Sequence, residues 1–83
     1  MKVKTRVRDF LVENFFAPEG DALADEASLV REGIMDSTGV LELALFLEET
    51  YDIQVEDGDF LPENLDSLQA VEDFVLRKKA AGG

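Results

Sequence analysis

Asp36-Ser37 stands where a run of acidic loop residues gives way to Thr38-Gly39-Val40-Leu41-Glu42-Leu43, a stretch with helical patterning. A serine at a helix start can carry a phosphate on its hydroxyl. The free N–H groups of the first turn and the positive end of the macrodipole both favour an anion there. The chain has no Cys and no His, so disulfides and Cys/His metal clusters are excluded, and no other position points to a chemistry. No His or Lys lies close in sequence to activate Ser37, so it is not a nucleophile of its own.

Four helical pieces must position this serine. Val3, Val7, Phe10, Leu11 and Phe15 recur at three- and four-residue steps and predict an amphipathic helix over 3–16, stopped by Pro18 and Gly20. A long loop then runs to Met35, anchored by Leu23, Leu29, Val30 and Ile34. Asp36 is the expected N-cap of a second helix from Ser37 to about Tyr51, its carboxylate accepting from the first turn. At 100° per residue, Val40, Leu43, Ala44, Leu47 and Tyr51 share the core face. Glu42 and Glu49 lie opposite, with Leu41 and Leu45 beside them, which makes an exposed docking surface.

Ile53-Gln54-Val55 alternates too briefly for a sheet. A short third helix is expected over 56–60, closed before Pro62. Asp66 with Gln69 reads as a capping box for the last helix, whose buried stripe is Leu68, Val71, Phe74 and Val75. Arg77, Lys78 and Lys79 complement its C-terminal dipole. The expected fold is all-α: a small four-helix bundle, three main helices plus a short third, with a long loop between helices one and two.

The composition agrees with a single small domain spanning residues 1–83, because 83 residues at 46% apolar content can close one core. Net charge is −11 and unevenly placed: from Asp9 to Leu76 there are 19 carboxylates and one base, Arg31. Such a field repels phosphate backbones and argues against nucleic acid as a partner. It suits steering toward basic patches on proteins. The absence of a signal-like or membrane-spanning apolar run points to a cytoplasmic chain without stable membrane insertion, and a monomer is expected. Asp57-Gly58-Asp59 is not a calcium loop. Counting back from its Gly places Ile53 and Val55 at ligand positions and Asn64 where a bidentate acid belongs.

The pattern from Gly33 to Asp52 joins a Gly-containing turn, Asp36-Ser37, the Val40-Leu41-Glu42-Leu43 helix, and Glu48-Glu49 before Tyr51-Asp52. It resembles the prosthetic-group site of acyl carrier and peptidyl carrier proteins, and the four-piece layout extends the resemblance over nearly the whole chain. The resemblance implies a carrier rather than an enzyme. A phosphopantetheinyl transferase, using coenzyme A and Mg²⁺, would attach 4′-phosphopantetheine to Ser37. The thiol of that arm would hold acyl or aminoacyl groups as thioesters, which suits a chain with no thiol of its own. Asp36 would cap the helix and help place the transferase's metal; the carrier itself holds none.

Leu41, Glu42, Leu45, Glu48 and Glu49 would be read by the basic grooves of an acyl- or aminoacyl-activating ligase and of downstream acyltransferases. The pathway implied is fatty acid biosynthesis or secondary metabolism. Housekeeping fatty-acid carriers usually have Leu and then an acid after the serine, where Thr38 and Gly39 stand here. Asp-Ser-x-Gly, with the segment from Asp59 to Ser67, looks more like D-alanyl and stand-alone aminoacyl carriers. Gly82-Gly83 resembles the tail of ubiquitin-like sulfur carriers, but those need a β-grasp sheet, so it reads as a frayed end. The competing reading is a small acidic helical protein–protein interaction module with no prosthetic group.

Overall fold

The computed structural model describes residues 3–15 and 24–81. Its helices are α1 (Val3–Asn14), α2 (Ser37–Tyr51), α3 (Pro62–Leu65) and α4 (Leu68–Ala80), with a 3₁₀ turn at Asp57–Asp59. No strand occurs among the described residues, so the all-α expectation is met. The expected stops Pro18 and Gly20, the anchor Leu23 and the Gly82-Gly83 tail lie outside the described residues.

In α1 the four-residue spacing of Val3, Val7 and Leu11 puts three fully buried side chains on one stripe. The helix ends at Asn14, two residues earlier than the spacing predicts, though Phe15 N–H still donates back to Leu11 O at 2.8 Å. α2 has the predicted bounds. Leu43, Ala44, Leu47 and Tyr51 are buried, whereas Val40 is only half-buried. It ends at Asp52, whose left-handed φ of 54° is a conformation short polar side chains tolerate. α4 turns Leu68, Val71, Phe74 and Val75 inward, as its stripe predicts, and packs against both α1 and α3. These stripes, with Leu29, Ile34, Met35, Ile53 and Leu65, make one contiguous core. Full burial of a Leu, Val or Phe stabilises such a core by roughly 1.5–3 kcal/mol.

Further boundaries differ from the sequence reading. The expected helix over 56–60 is a single 3₁₀ turn, closed by reciprocal bonds between Glu56 and Asp59. Pro62 does not follow a helix end but opens α3, since its fixed φ and missing N–H suit a first helical position. The cap of α4 is Ser67, not Asp66: Ser67 Oγ accepts from Ala70 N–H at 3.0 Å. Asp66 is engaged elsewhere. Its carboxylate accepts from Ser28 Oγ and from Val30 N–H, and its carbonyl accepts from Leu29 N–H at 2.7 Å. The long loop is thereby tied to the α3–α4 junction. Val30 is not a buried anchor; it is 52% exposed, and Met35 is buried beside Ile34 instead.

The basic residues act as staples between elements. Lys4 and Arg8 pair with Asp25 at 3.2 and 3.3 Å. Lys78 pairs with Asp59 at 2.7 Å, and Arg77 donates to Asn64 Oδ1 at 2.8 Å. Lys79 Nζ donates to Tyr51 O, so it satisfies the C-terminus of α2 rather than that of its own helix.

Candidate functional site

Ser37 is the first residue of α2, and it is exposed. Three features of the sequence hold it there. Gly33 takes a φ of 76°, which only glycine adopts at no steric cost, and turns the chain toward the helix. Ile34 and Met35 N–H groups both donate to Leu29 O, at 2.9 and 3.3 Å, while their side chains enter the core. Asp36 then caps α2, its Oδ1 accepting from Gly39 N–H at 2.9 Å. The serine hydroxyl is therefore presented to solvent from a turn anchored on both sides. The remaining N–H groups of that turn and the helix dipole favour an anion at this end.

Beside Ser37 lies a groove of about 730 Å³. The loop supplies Ser28, Val30 and Arg31; α2 supplies Ser37, Val40 and Leu41. Phe60, Leu61, Pro62 and Leu65 form the facing wall, with Asp66 at its end. Val30, Leu41 and Leu61 are 52%, 55% and 43% exposed, so three of the large apolar side chains left in solvent border one groove. Scattered exposed apolar residues are ordinary, whereas a cluster around a concavity marks a binding surface.

The facing wall is held by the staples already described. Asp59–Lys78 and Asn64–Arg77 fix the 3₁₀ turn and α3 against α4. The hydrogen bond from Lys78, and a second from Glu56 N–H, keep the Asp59 carboxyl below its ordinary range.

The residues singled out in the sequence do not all meet. Ser37 and Leu41 share the groove. Glu42, Leu45 and Glu49 are exposed on α2, with Leu45 at 58%, but they do not line it. Glu48 is half-buried, and its Oε2 accepts from Val55 N–H at 2.9 Å, closing the connection after α2. Arg31, Phe60, Leu61 and Asp66 line the groove but were not among the expected site residues; Asp66 was read only as a helix cap. The available signal was Phe60-Leu61-Pro62, an apolar run that no helical stripe claims. Among the described residues no cluster of carboxylates is arranged to hold a metal ion, and no helix is long and apolar enough to cross a membrane.

No family model matches the chain. It is similar to the acyl carrier protein of Bdellovibrio bacteriovorus, with 30% identity over 81 residues, covering 98% of this chain and all of that protein. It is also similar to the acyl carrier protein of Syntrophobacter fumaroxidans, with 28% identity over 71 residues, 86% of this chain and 85% of that one.

Proposed function

The chain belongs to the acyl carrier protein family, a carrier and not itself an enzyme, and from that premise we propose that it bears a 4′-phosphopantetheine arm on Ser37. The arm supplies the thiol that the chain lacks, and an acyl or aminoacyl cargo is held on it as a thioester. The observation that carries this reading is the exposed Ser37 hydroxyl on the first turn of α2, opening onto an apolar-walled groove. Asp36 holds the turn through Gly39 N–H and leaves Ser37 accessible to a transferase. Leu41, Glu42, Leu45 and Glu49 line the exposed side of α2, where an acidic and apolar surface suits a basic groove with an apolar floor. Glu48 takes part from the edge of that surface. The partners are a phosphopantetheinyl transferase, the ligase that loads the cargo and the acyltransferases that remove it.

Intact mass after incubation with a phosphopantetheinyl transferase, Mg²⁺ and coenzyme A tests the site. One arm should be added to the wild type and none to Ser37→Ala. That variant should keep its unfolding midpoint, because an exposed hydroxyl contributes little to stability. Modification of Ser37→Ala, or none of the wild type with several transferases, overturns the reading and leaves the interaction module without a prosthetic group.

A further inference from the structure

One wall of the groove carries a charge that its surroundings leave unmatched. Arg31 is the only Lys or Arg between Asp9 and Leu76, in a stretch holding 19 carboxylates. Its side chain is exposed and lines the groove onto which Ser37 opens. The turn beneath it is fixed, since Arg31 N–H donates to Ser28 Oγ at 3.1 Å. Among the described residues its guanidinium has no ion-pair or hydrogen-bond partner. The other charged residue on the groove, Asp66, is already engaged by Ser28 and Val30.

We infer that Arg31 is a positioning residue: its guanidinium pairs with the phosphodiester of the arm and lays the arm along the groove. This rests on the reading that Ser37 carries phosphopantetheine. Given that bond, covalency keeps the phosphodiester at the rim of the groove that Arg31 lines, where a short tether gives a high effective concentration. The phosphodiester is an anion placed among carboxylates. Arg31 is the one group lining the groove with a fork of donors that matches phosphate oxygens. A carboxylate on the cargo would offer similar oxygens, but from the far end of the arm. The phosphodiester has the shorter tether and occupies the guanidinium first.

The test compares holo protein of the wild type, Arg31→Gln and Arg31→Lys, each confirmed by mass to bear one arm. In the wild type, adding the arm should move the Arg31 Nε–H resonance. The phosphorus resonance of the arm should differ between wild type and Arg31→Gln at low salt, converge as salt rises, and be intermediate in Arg31→Lys. Alkylation of the arm's thiol by a neutral maleimide should be about two- to fivefold faster in Arg31→Gln, the scale expected of an exposed ion pair. Identical phosphorus resonances and alkylation rates in wild type and Arg31→Gln, with the arm attached, overturn the inference alone. An Nε–H resonance that moves only when a succinyl cargo is loaded overturns it in favour of the cargo carboxylate. Failure of any arm to attach at Ser37 overturns the site reading as well.

Discussion

At Gly39 the absence of a side chain is a packing requirement. A Cβ there would stand 2.7 Å from Met35 Cβ and 2.9 Å from Phe15 Cε1. The phenyl ring can tilt, but Met35 Cβ is fixed to a backbone whose N–H is bonded to Leu29 O. The acid that housekeeping carriers place two residues after the serine therefore has no room in this chain. Phe15 belongs to the aromatic group at the end of α1, where Phe10 stacks on Phe46 with ring centroids 4.3 Å apart and meets Phe15 edge-on at 5.9 Å. Gly39→Ala should destabilise the fold by about 1–3 kcal/mol as overpacking, less the roughly 0.5–1 kcal/mol that alanine contributes in a helix. A urea midpoint at or above that of the wild type would show that Met35 and Phe15 can yield.

On the element scale, α2 separates a buried face from an exposed one proposed to meet partners, and two leucines two residues apart test the division. Leu47 is fully buried while Leu45 is 58% exposed. Leu47→Ala should lower stability by roughly 2–5 kcal/mol. Leu45→Ala should cost less than about 0.5 kcal/mol and instead slow loading by the cognate ligase. The reverse pattern in denaturant midpoints would mean that α2 turns the other face inward.

The ion pair between the 3₁₀ turn and α4 makes a pH prediction. Hydrogen bonding by Lys78 and by Glu56 N–H depresses the Asp59 pKa, so this carboxylate binds its proton more weakly in the folded chain than in the unfolded one. Its contribution is present above the unfolded carboxylate value, near 4, and is lost as pH falls through the folded value. Both partners are partly exposed, so the pair is worth no more than about 1 kcal/mol. The stability gap between wild type and Lys78→Gln should be open at neutral pH and should close as pH falls through and below about 4. Comparing the two cancels the repulsion they share. A gap that widens in acid would contradict the assignment.

Across the whole molecule, charge is segregated by role. Lys4, Arg8, Arg77, Lys78 and Lys79 are taken up in contacts that join one element to another. Among the described residues most carboxylates have no basic partner, on a chain of net charge −11. Clustered like charges on a small domain oppose compaction, and salt or divalent cations screen them. The thermal midpoint near neutral pH should rise from low to moderate salt. A flat or falling trend would mean that the interelement pairs, which salt also weakens, outweigh the repulsion.

Local physics written along the chain determined a good part of this protein. The three- and four-residue spacing of Val3, Val7 and Leu11, and of Leu68, Val71 and Val75, defines two buried stripes without reference to any partner. Asp36 is a cap by virtue of its own carboxylate and the N–H three residues on, so the helix start that exposes Ser37 was legible from neighbouring residues. The groove was not, because its walls come from segments some thirty residues apart that meet only when the core closes. Asp66 shows why: read locally it is a helix cap, but folding brings it against Ser28 and Val30, and the cap passes to Ser67. Val30, Arg31 and Leu61 carry no periodicity that marks them. Tertiary contact alone decides that they border one cavity beside Ser37, since a concave surface is a property of how elements pack and not of any one of them.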